Sequence, residues 1–231
     1  MIKIFGLQKM TLIDYPGKVA AAIFLAGCNF HCGYCHNPDL VENKADSGNF
    51  SQEEVLNFLA KRKNLLDGVC VSGGEPLLNP DLGQFLKKIK DLGYPIKLDT
   101  NGLLFSALKQ IIDQNLIDYV AMDIKASLKN YGLITGLQAD FSNILKSIEL
   151  IMSGGFDYEF RSTILPKFHN QAEIQAMAQM IKGAKIYYLQ NFNNNNTLDP
   201  AFLAEKRFKA AELNQFKELA ENYVQKCEIR N

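Results

Sequence analysis

The first buried strand of the predicted fold is Val19-Ala20-Ala21-Ala22-Ile23-Phe24-Leu25-Ala26, a continuous apolar run that Gly27 closes. An uninterrupted run of this length is typical of a strand buried on both faces, as in a parallel sheet covered by helices. The stretch Cys28-Asn29-Phe30-His31-Cys32-Gly33-Tyr34-Cys35 follows it directly. The carboxyl ends of parallel strands are where barrel enzymes keep their active sites, so this stretch is a candidate site.

The same alternation of strand and helix repeats along the chain. Amphipathic helices separate the apolar runs, and one of them starts with a capping box formed by Ser51 and Glu54. Alternation of this kind implies a parallel sheet with right-handed crossovers, and six units are fewer than the eight that close a full barrel. We therefore predict an α/β fold, a partial (βα)6 TIM-like barrel whose parallel sheet is open on one side. The predicted strands are Val19–Ala26, Gly68–Val71, Pro95–Leu98, Asp118–Met122, Tyr158–Phe160 and Lys185–Leu189.

Composition shows no break that would separate two domains. We predict one domain over residues 1–231, with an N-terminal extension (1–18), six βα units (19–192) and a C-terminal loop and helix (193–231). Asn79 and Asp140 are predicted to cap helices, the first of which would start at Pro80. The asparagine run at 193–196 is interpreted as a loop without a function.

Charge and hydropathy narrow the class of protein. Lys+Arg and Asp+Glu are equal at 25 each, which removes a strong electrostatic case for a nucleic-acid or anionic-membrane partner. No apolar run approaches the ~18 residues of a spanning helix, and the first residues lack a signal-peptide pattern. Five cysteines, an odd number, also argue against a secreted disulfide scaffold. We expect a cytoplasmic protein.

Cys28, Cys32 and Cys35 are the candidate metal ligands. Clustered thiolates are soft ligands that select zinc, copper or an iron–sulfur cluster. A structural zinc or an electron-transfer cluster normally takes four protein ligands, and the remaining cysteines, Cys70 and Cys227, lie far away in sequence. Three ligands would leave one iron of a four-iron cluster open, and an open position is what a reactive metal site needs.

A zinc site is the alternative for the same cysteines. His31 or His36 could complete a three-cysteine zinc site in a non-catalytic module. Zinc signatures usually pair two separated knuckles, and the sequence shows no second knuckle.

The spacing Cys28-x-x-x-Cys32-x-Tyr34-Cys35 resembles the cluster loop of the radical S-adenosylmethionine enzymes. The resemblance implies a 4Fe–4S cluster held by the three cysteines, with the open iron bound by the amino and carboxylate groups of S-adenosylmethionine. It further implies reductive cleavage of that cofactor to a 5′-deoxyadenosyl radical by a metal-binding oxidoreductase. The partial barrel agrees with the architecture of that family.

Polar residues also follow the other predicted strands, and in a parallel barrel they would share one rim. Any of them alone could be a helix cap, but the set predicts a ligand site. Gly73, Gly74 and Glu75 would contact the methionine amino group, and Tyr34 and the backbone near His36 would border the adenine, as the resemblance implies. The full predicted cofactor-binding set is Tyr34, His36, Gly73, Gly74, Glu75, Asp99, Thr100, Asn101, Asp123, Lys125 and Arg161.

A monovalent cation is a further expectation. The segments Asp99-Thr100-Asn101-Gly102 and Asp123-Ile124-Lys125 resemble those of glycyl-radical activating enzymes, and this resemblance implies a monovalent cation beside the cofactor carboxylate. Asp99, Thr100 and Asp123 offer hard oxygen ligands suited to Na⁺ or K⁺. Lys125 and Arg161 would hold cofactor carboxylate or ribose oxygens; alternatively, they could simply pair with the neighbouring aspartates. We predict no catalytic side chain beyond the cluster and cofactor, because the organic chemistry belongs to the cofactor.

Longer motifs resemble the activating enzymes of glycyl-radical enzymes, in particular that of anaerobic ribonucleoside-triphosphate reductase. They are Asp14-Tyr15-Pro16-Gly17, Gly27-Cys28-Asn29-Phe30, Tyr34-Cys35-His36-Asn37-Pro38, Ser72-Gly73-Gly74-Glu75-Pro76, Leu98-Asp99-Thr100-Asn101-Gly102 and Met122-Asp123-Ile124-Lys125. The resemblance implies a glycyl-radical enzyme as partner and an electron donor such as a flavodoxin or ferredoxin, in an anaerobic setting. Gln190 stands where some relatives place a histidine, so no cofactor role is carried to it.

An enzyme acting on a small molecule, similar to 7-carboxy-7-deazaguanine synthase, is the alternative within the same superfamily. Its chain would be similarly short. The sequence His36-Asn37-Pro38 after the last cysteine favours the activating enzyme.

Overall fold

The structure, a computed structural model, describes residues 2–41 and 50–230. The strands are β1 Ile4–Thr11, β2 Ala20–Leu25, β3 Gly68–Gly73, β4 Ile96–Thr100, β5 Tyr119–Asp123, β6 Asp157–Ile164, β7 Tyr187–Asn191 and β8 Cys227–Arg230. The helices are α1 Pro38–Val41, α2 Gln52–Lys61, α3 Leu82–Asp91, α4 Phe105–Asp113, α5 Tyr131–Thr135, α6 Ser142–Met152, α7 Gln171–Met180 and α8 Ala210–Ala220. The strand order follows the chain from β1 to β8.

The chain divides into two compact units. The first comprises Met1–Asn29, Asp39–Thr100 and Leu104–Val120, and the second comprises Phe30–Pro38, Asn101–Leu103 and Ala121–Asn231. The prediction of a single domain therefore stays a prediction.

In the first unit, β2 is the central strand. It pairs in parallel with β3 from Ala20↔Gly68 to Leu25↔Gly73, and β3 pairs in parallel with β4. Most of β2 is inaccessible to solvent, as its continuous apolar sequence predicts. Helix α3 is amphipathic and buries Leu82, Phe85, Leu86 and Ile89.

In the second unit, β6, β7 and β8 are parallel, with Tyr187 opposite both Phe160 and Cys227. Helix α6 buries Ile144, Ile148 and Ile151. None of the helices in the described part of the chain is both long and apolar enough to cross a membrane.

The six predicted strand–helix units are present, as β2 to β7 with their following helices. Two strands were missed. Strand β1 runs antiparallel to β2, and β8 adds a short parallel strand beside β7. β1 has a run of three exposed residues in place of regular alternation, and β8 has only 4 residues, so neither produces a clear strand pattern.

Some predicted boundaries were wrong. Helix α3 begins at Leu82, because a 3₁₀ turn over Pro76–Leu78 comes first and the Asn79 side chain donates to the Pro76 carbonyl. Helix α6 begins at Ser142, whose amide and hydroxyl donate to the Asp140 carboxylate. The capping box of Ser51 and Glu54 is confirmed.

Candidate active site

The stretch from Cys28 to Cys35, here called the cysteine loop, follows closely after β2. Cys28 belongs to the first unit and is half-buried, whereas Cys32 and Cys35 belong to the second unit, where Cys32 is buried. A tight turn joins the last two, since the Cys35 amide donates to the Cys32 carbonyl at 2.9 Å. All five cysteines are free thiols. Burial raises the pKa of Cys32 to about 11, so a metal would have to displace a proton from this thiol.

The donor chemistry of this loop fits an iron–sulfur cluster, because thiolates are its usual ligands. Among residues 2–41 and 50–230, no group of three or more His, Cys, Asp or Glu side chains could hold a metal ion as placed. The assignment of Cys28, Cys32 and Cys35 as ligands therefore stays a prediction based on their spacing.

Residues 193–199, here called the asparagine-rich loop, bind the cysteine loop and the adjacent His36 within the second unit. The amides of Leu198 and Asp199 donate to the carbonyls of Cys35 and Gly33 at 3.0 and 2.9 Å. Asn196 donates from its side chain to the His36 carbonyl at 3.0 Å. Sequence reasoning missed this role, because the asparagine run shows a loop but not the distant segment to which it bonds.

His36 and Tyr34 lie in an aromatic cluster of the second unit. The His36 ring stacks on Phe192 at 5.5 Å, and its Nε2 lies 2.6 Å from the carbonyl oxygen of Asn193. Tyr34 packs against Phe168, Phe192 and Phe202.

The Tyr34 hydroxyl is buried without a hydrogen-bond partner among the residues that the structure describes. Leaving such a group unsatisfied costs about 1–3 kcal/mol. A bound polar group could remove this cost, which is compatible with the predicted placement of Tyr34 and His36 beside the adenine.

Gly73 and Gly74 lie where the carboxyl end of β3 runs close beside the carboxyl end of β2. A Cβ atom on Gly73 would be 2.1 Å from the Leu25 carbonyl oxygen, and one on Gly74 would be 2.0 Å from that of Gly27. The amide of Glu75 donates to the same Gly27 carbonyl at 2.8 Å. Backbone packing alone thus explains why glycine occupies both positions. Their contact with the cofactor stays a prediction.

Glu75 is fully buried. Its carboxylate accepts from the Leu77 amide at 3.1 Å and from the Thr100 hydroxyl at 2.9 Å. These bonds tie the end of β3 to the end of β4. Both Glu75 and Thr100 are therefore structural as well as candidate cofactor residues.

Asp99 sits at the centre of a buried polar group in the first unit. It accepts from the Lys97 ammonium and from the Ser72 hydroxyl, the latter at 3.0 Å, and the Cys70 thiol lies 3.8 Å away. Lys97 is only 1% exposed and was missed, although a lysine inside an apolar strand is a visible signal.

Asp123 carries two basic partners in the second unit. Lys125 Nζ donates to Oδ2 at 2.8 Å, and Arg161 Nε donates to Oδ1 at 2.6 Å. Burial alone would raise the pKa of Asp123, but Arg161 and Lys125 outweigh it and hold that pKa well below its usual range. Asp123 is therefore an anion.

The position of Lys125 is fixed through its backbone. Its amide donates to the Tyr131 hydroxyl at 3.1 Å, and its carbonyl lies 3.1 Å from Nε2 of His169. His169 is buried, and sequence reasoning missed it because it lies far from Lys125 in sequence.

Asn101 shapes the turn after β4 by accepting from the Leu103 amide at 3.1 Å.

These contacts show that several predicted site residues also pair within the protein. Asp99 bonds Lys97, and Asp123 bonds Lys125 and Arg161, so a Na⁺ or K⁺ at these carboxylates would have to compete with amines and a guanidinium. The structure also corrects the predicted strand ends, because six residues expected after the strands lie inside them: Ser72, Gly73, Asp99, Thr100, Asp123 and Arg161.

A comparison with known families shows that the Radical SAM superfamily matches residues 22–181. The chain belongs to the radical SAM superfamily. This family implies a 4Fe–4S cluster and S-adenosylmethionine, as predicted, and it favours the iron–sulfur interpretation of the cysteines over the zinc alternative.

Two relatives refine this radical SAM assignment. A Methanocaldococcus jannaschii protein with the provisional name glycyl-radical enzyme activating enzyme is 33% identical over 97% of this chain and 94% of its own length. The pyruvate formate-lyase-activating enzyme of Clostridium pasteurianum is 34% identical over 80% of this chain and 78% of its own. The predicted resemblance to activating enzymes is confirmed at this level.

The fold is shared with solved structures. Streptococcus suis SuiB bound to S-adenosylmethionine is similar with a TM-score of 0.68 and 16% identity, over 88% of this chain and 48% of SuiB. This chain thus spans about half the length of SuiB. The likeness and the parallel strand pairings confirm the predicted α/β fold of the partial-barrel type.

Proposed function

We propose that this radical SAM enzyme activates a glycyl-radical enzyme by generating a radical on a glycine of that partner. The observation that carries the proposal is the match to a named activating enzyme over nearly the full length of both chains. The anaerobic ribonucleoside-triphosphate reductase is the proposed partner, and a flavodoxin or ferredoxin the proposed electron donor. The motif resemblance from Asp14 to Lys125 supports this choice of partner.

The cluster and S-adenosylmethionine supply, when bound, the 5′-deoxyadenosyl radical that abstracts hydrogen. The chain provides the residues that bind and orient them. Cys28, Cys32 and Cys35 hold the cluster, and the half-buried ammonium of Lys125 and guanidinium of Arg161 offer donors to a cofactor carboxylate. Asp123 holds both cations in place, so they are arranged before the cofactor arrives.

Not every residue of the motifs contacts a partner. Tyr15 is only 3% exposed and packs against Tyr119 with ring centroids 5.8 Å apart. The motif Asp14-Tyr15-Pro16-Gly17 therefore supports the fold of the first unit, and the choice of reductase rests on the motif set as a whole.

The experiment is anaerobic activation followed by electron paramagnetic resonance. The reconstituted, reduced protein is mixed with S-adenosylmethionine and, separately, with anaerobic ribonucleotide reductase or pyruvate formate-lyase from the same organism. A glycyl doublet with the reductase, absent with the Cys32→Ala variant, is the expected result. A doublet with pyruvate formate-lyase alone would show that the lyase, and not the reductase, is the partner.

Absence of a doublet with any glycyl-radical enzyme, together with turnover of a purified small molecule, would contradict the activating function. That result would support the alternative of an enzyme similar to 7-carboxy-7-deazaguanine synthase.

A monovalent cation near Asp99, Thr100 and Asp123 remains part of the proposal. Its support is the oxygen chemistry of these side chains. Cofactor affinity measured in K⁺, in Na⁺ and in choline at equal ionic strength tests it. Equal affinity in the three salts would show that no cation binds here. The basic side chains already paired with Asp99 and Asp123 would explain that result.

A further inference from the structure

The backbone of Lys125 is bonded by side chains of the second unit rather than by a neighbouring strand. One residue earlier, the Ile124 amide still donates to the backbone carbonyl of Arg161 in β6 at 2.8 Å. At Lys125 the amide donates to the Tyr131 hydroxyl at 3.1 Å, and the carbonyl oxygen lies 3.1 Å from Nε2 of His169. Backbone polar groups away from water need such partners. Two side chains therefore take over from the sheet at the residue that follows it.

The chemistry of the contact decides where the His169 ring carries its proton. A carbonyl oxygen only accepts, so Nε2 must carry a hydrogen to bond the Lys125 carbonyl. Nδ1 lies 3.2 Å from the amide nitrogen of Leu165 and 3.3 Å from its carbonyl oxygen. Burial lowers the pKa of His169, which favours the neutral ring. A neutral ring protonated on Nε2 donates to Lys125 and accepts from the Leu165 amide, so both nitrogens are satisfied.

The turn between β6 and α7 fixes this ring in place. The Leu165 carbonyl accepts from the amides of Phe168 and His169 at 3.2 and 2.9 Å. Asn170 then caps α7, since its side chain accepts from the Glu173 amide at 3.0 Å. His169 thus lies between a closed turn and a capped helix, and its ring is a rigid support for the chain that it contacts.

Helix α7 also binds the chain beyond Lys125, but at a different point. Glu173 is buried, and its carboxylate accepts from the amide and the hydroxyl of Ser127 at 2.6 and 3.0 Å. It also accepts from the Asn130 side chain at 2.7 Å. These bonds hold residues 127–130. At Lys125 itself, the contact with this side of the second unit is the one that His169 makes.

We propose that His169 is a positioning residue for Lys125. By donating from Nε2 to the Lys125 carbonyl, it sets the orientation of that backbone and so the direction in which the side chain leaves it. The Lys125 ammonium then bonds Asp123 at 2.8 Å and is directed to S-adenosylmethionine. The cofactor half of this inference rests on the proposed function, because it takes Lys125 as a cofactor contact.

The first test needs no cofactor. The chain has three histidines, so nuclear magnetic resonance of the full-length, cluster-free protein with ¹⁵N-labelled histidine can resolve each ring. The signals missing from His169→Gln identify those of His169. We expect a proton on Nε2 at neutral pH. A ring without a proton on Nε2 has nothing to donate to the Lys125 carbonyl, and this result would overturn the proposal.

The second test is cofactor affinity in the reconstituted protein. His169→Asn keeps an amide near the position of Nδ1 but does not reach Lys125, whereas His169→Gln places an N–H near the position of Nε2. We expect His169→Asn to weaken S-adenosylmethionine binding by about fivefold and to raise its KM with little change in kcat. His169→Gln should bind within about twofold of the original protein.

The matched control is Gln171→Asn. Gln171 is exposed at the start of α7, two residues from His169, and its side chain makes none of the bonds described. This variant should bind S-adenosylmethionine as the original protein does. A loss equal to that of His169→Asn would show that any change in this turn weakens binding, which would overturn the specific role of His169.

A double-mutant cycle separates positioning from folding. Lys125→Met should weaken cofactor binding by about tenfold, since it removes a charge-assisted bond. Adding His169→Asn should weaken binding no further, because the ammonium that His169 positions is gone. The same fivefold loss in both backgrounds would show that His169 acts without Lys125, and the proposal would be wrong.

The outcomes for the two halves of the inference are distinct. Normal affinity in His169→Asn or in Lys125→Met would overturn the cofactor half. The resonance test uses the unsubstituted ring, so it still decides the hydrogen bond if His169→Asn does not fold. If the original protein binds no S-adenosylmethionine, the proposed function fails, while the protonation of Nε2 still decides whether His169 bonds the Lys125 carbonyl.

Discussion

Cys70 and Cys227 differ from the three loop cysteines in their surroundings. Both are fully buried in strands, and Cys70 contacts Lys97 and Asp99 rather than open space. Free buried cysteines of this kind behave as small core residues. The loop cysteines Cys28 and Cys35 remain partly exposed, so their thiols are accessible to a cluster.

We predict that Cys28→Ala, Cys32→Ala and Cys35→Ala each abolish cluster retention and cofactor cleavage. Cys70→Ala and Cys227→Ala should retain both, because neither supplies a ligand. Iron and sulfide per folded chain, measured after anaerobic reconstitution, check this. A Cys70→Ala protein that folds but carries no iron would show that the ligand assignment is wrong.

At the level of elements, the close approach of the chain after β3 to the chain after β2 depends on Gly74. An added Cβ atom would lie 2.0 Å from the Gly27 carbonyl oxygen, so the backbone would have to move. We expect Gly74→Ala to lower the free energy of unfolding of the cluster-free protein by about 1–3 kcal/mol. Urea unfolding measures this.

The matched control for Gly74 is Gly155, where an added Cβ atom would have nothing within 4 Å among the described residues. Gly155→Ala should leave the unfolding free energy nearly unchanged. Equal effects of the two substitutions would mean that the close approach of β2 and β3 is not a constraint in solution.

The asparagine-rich loop is the element that binds the cysteine loop. Asn196→Ala removes the bond to the His36 carbonyl, a contribution of about 0.5–1.5 kcal/mol. We expect faster loss of iron from this variant to a chelator. Asn195→Ala should behave as the original protein, since the side chain of the exposed Asn195 makes none of the described bonds. Similar iron loss from both variants would argue against this role.

Strand β2 shows what sequence can predict about an element, since burial on both faces leaves a continuous apolar run. Strand β1 is half-exposed and lacks such a pattern, so it was missed. The spacing of the three cysteines predicted the family. The bonds of Asn196 to His36 and of Arg230 to Glu159 join distant parts of the chain, and only the folded structure reveals them.

At the level of the whole molecule, buried histidine makes stability depend on pH. His169 accepts from the Leu165 amide at 3.2 Å, and burial lowers its pKa below the ordinary 6.5. The unfolded chain therefore binds a proton more readily than the folded one. This contribution to stability is complete above the ordinary pKa and falls as the pH decreases through 6.5 towards the lower folded value.

We expect the unfolding free energy of the cluster-free protein to fall below about pH 6.5, by up to about 1.4 kcal/mol per pH unit for this group. His169→Gln should reduce that slope. The rest of the slope would include a contribution from His36, because burial also lowers the pKa of His36. An unchanged slope in His169→Gln would contradict the prediction.

The antiparallel pairing of β1 with β2 bears on the order of assembly. Residues 12–19 join these strands directly, so their pairing is local in sequence and is expected to form early, before the slower parallel crossovers. The strand leading into the cysteine loop would then be set before iron and sulfide arrive. A protein that delivers an assembled cluster would then bind a chain in which the β1–β2 hairpin has already formed.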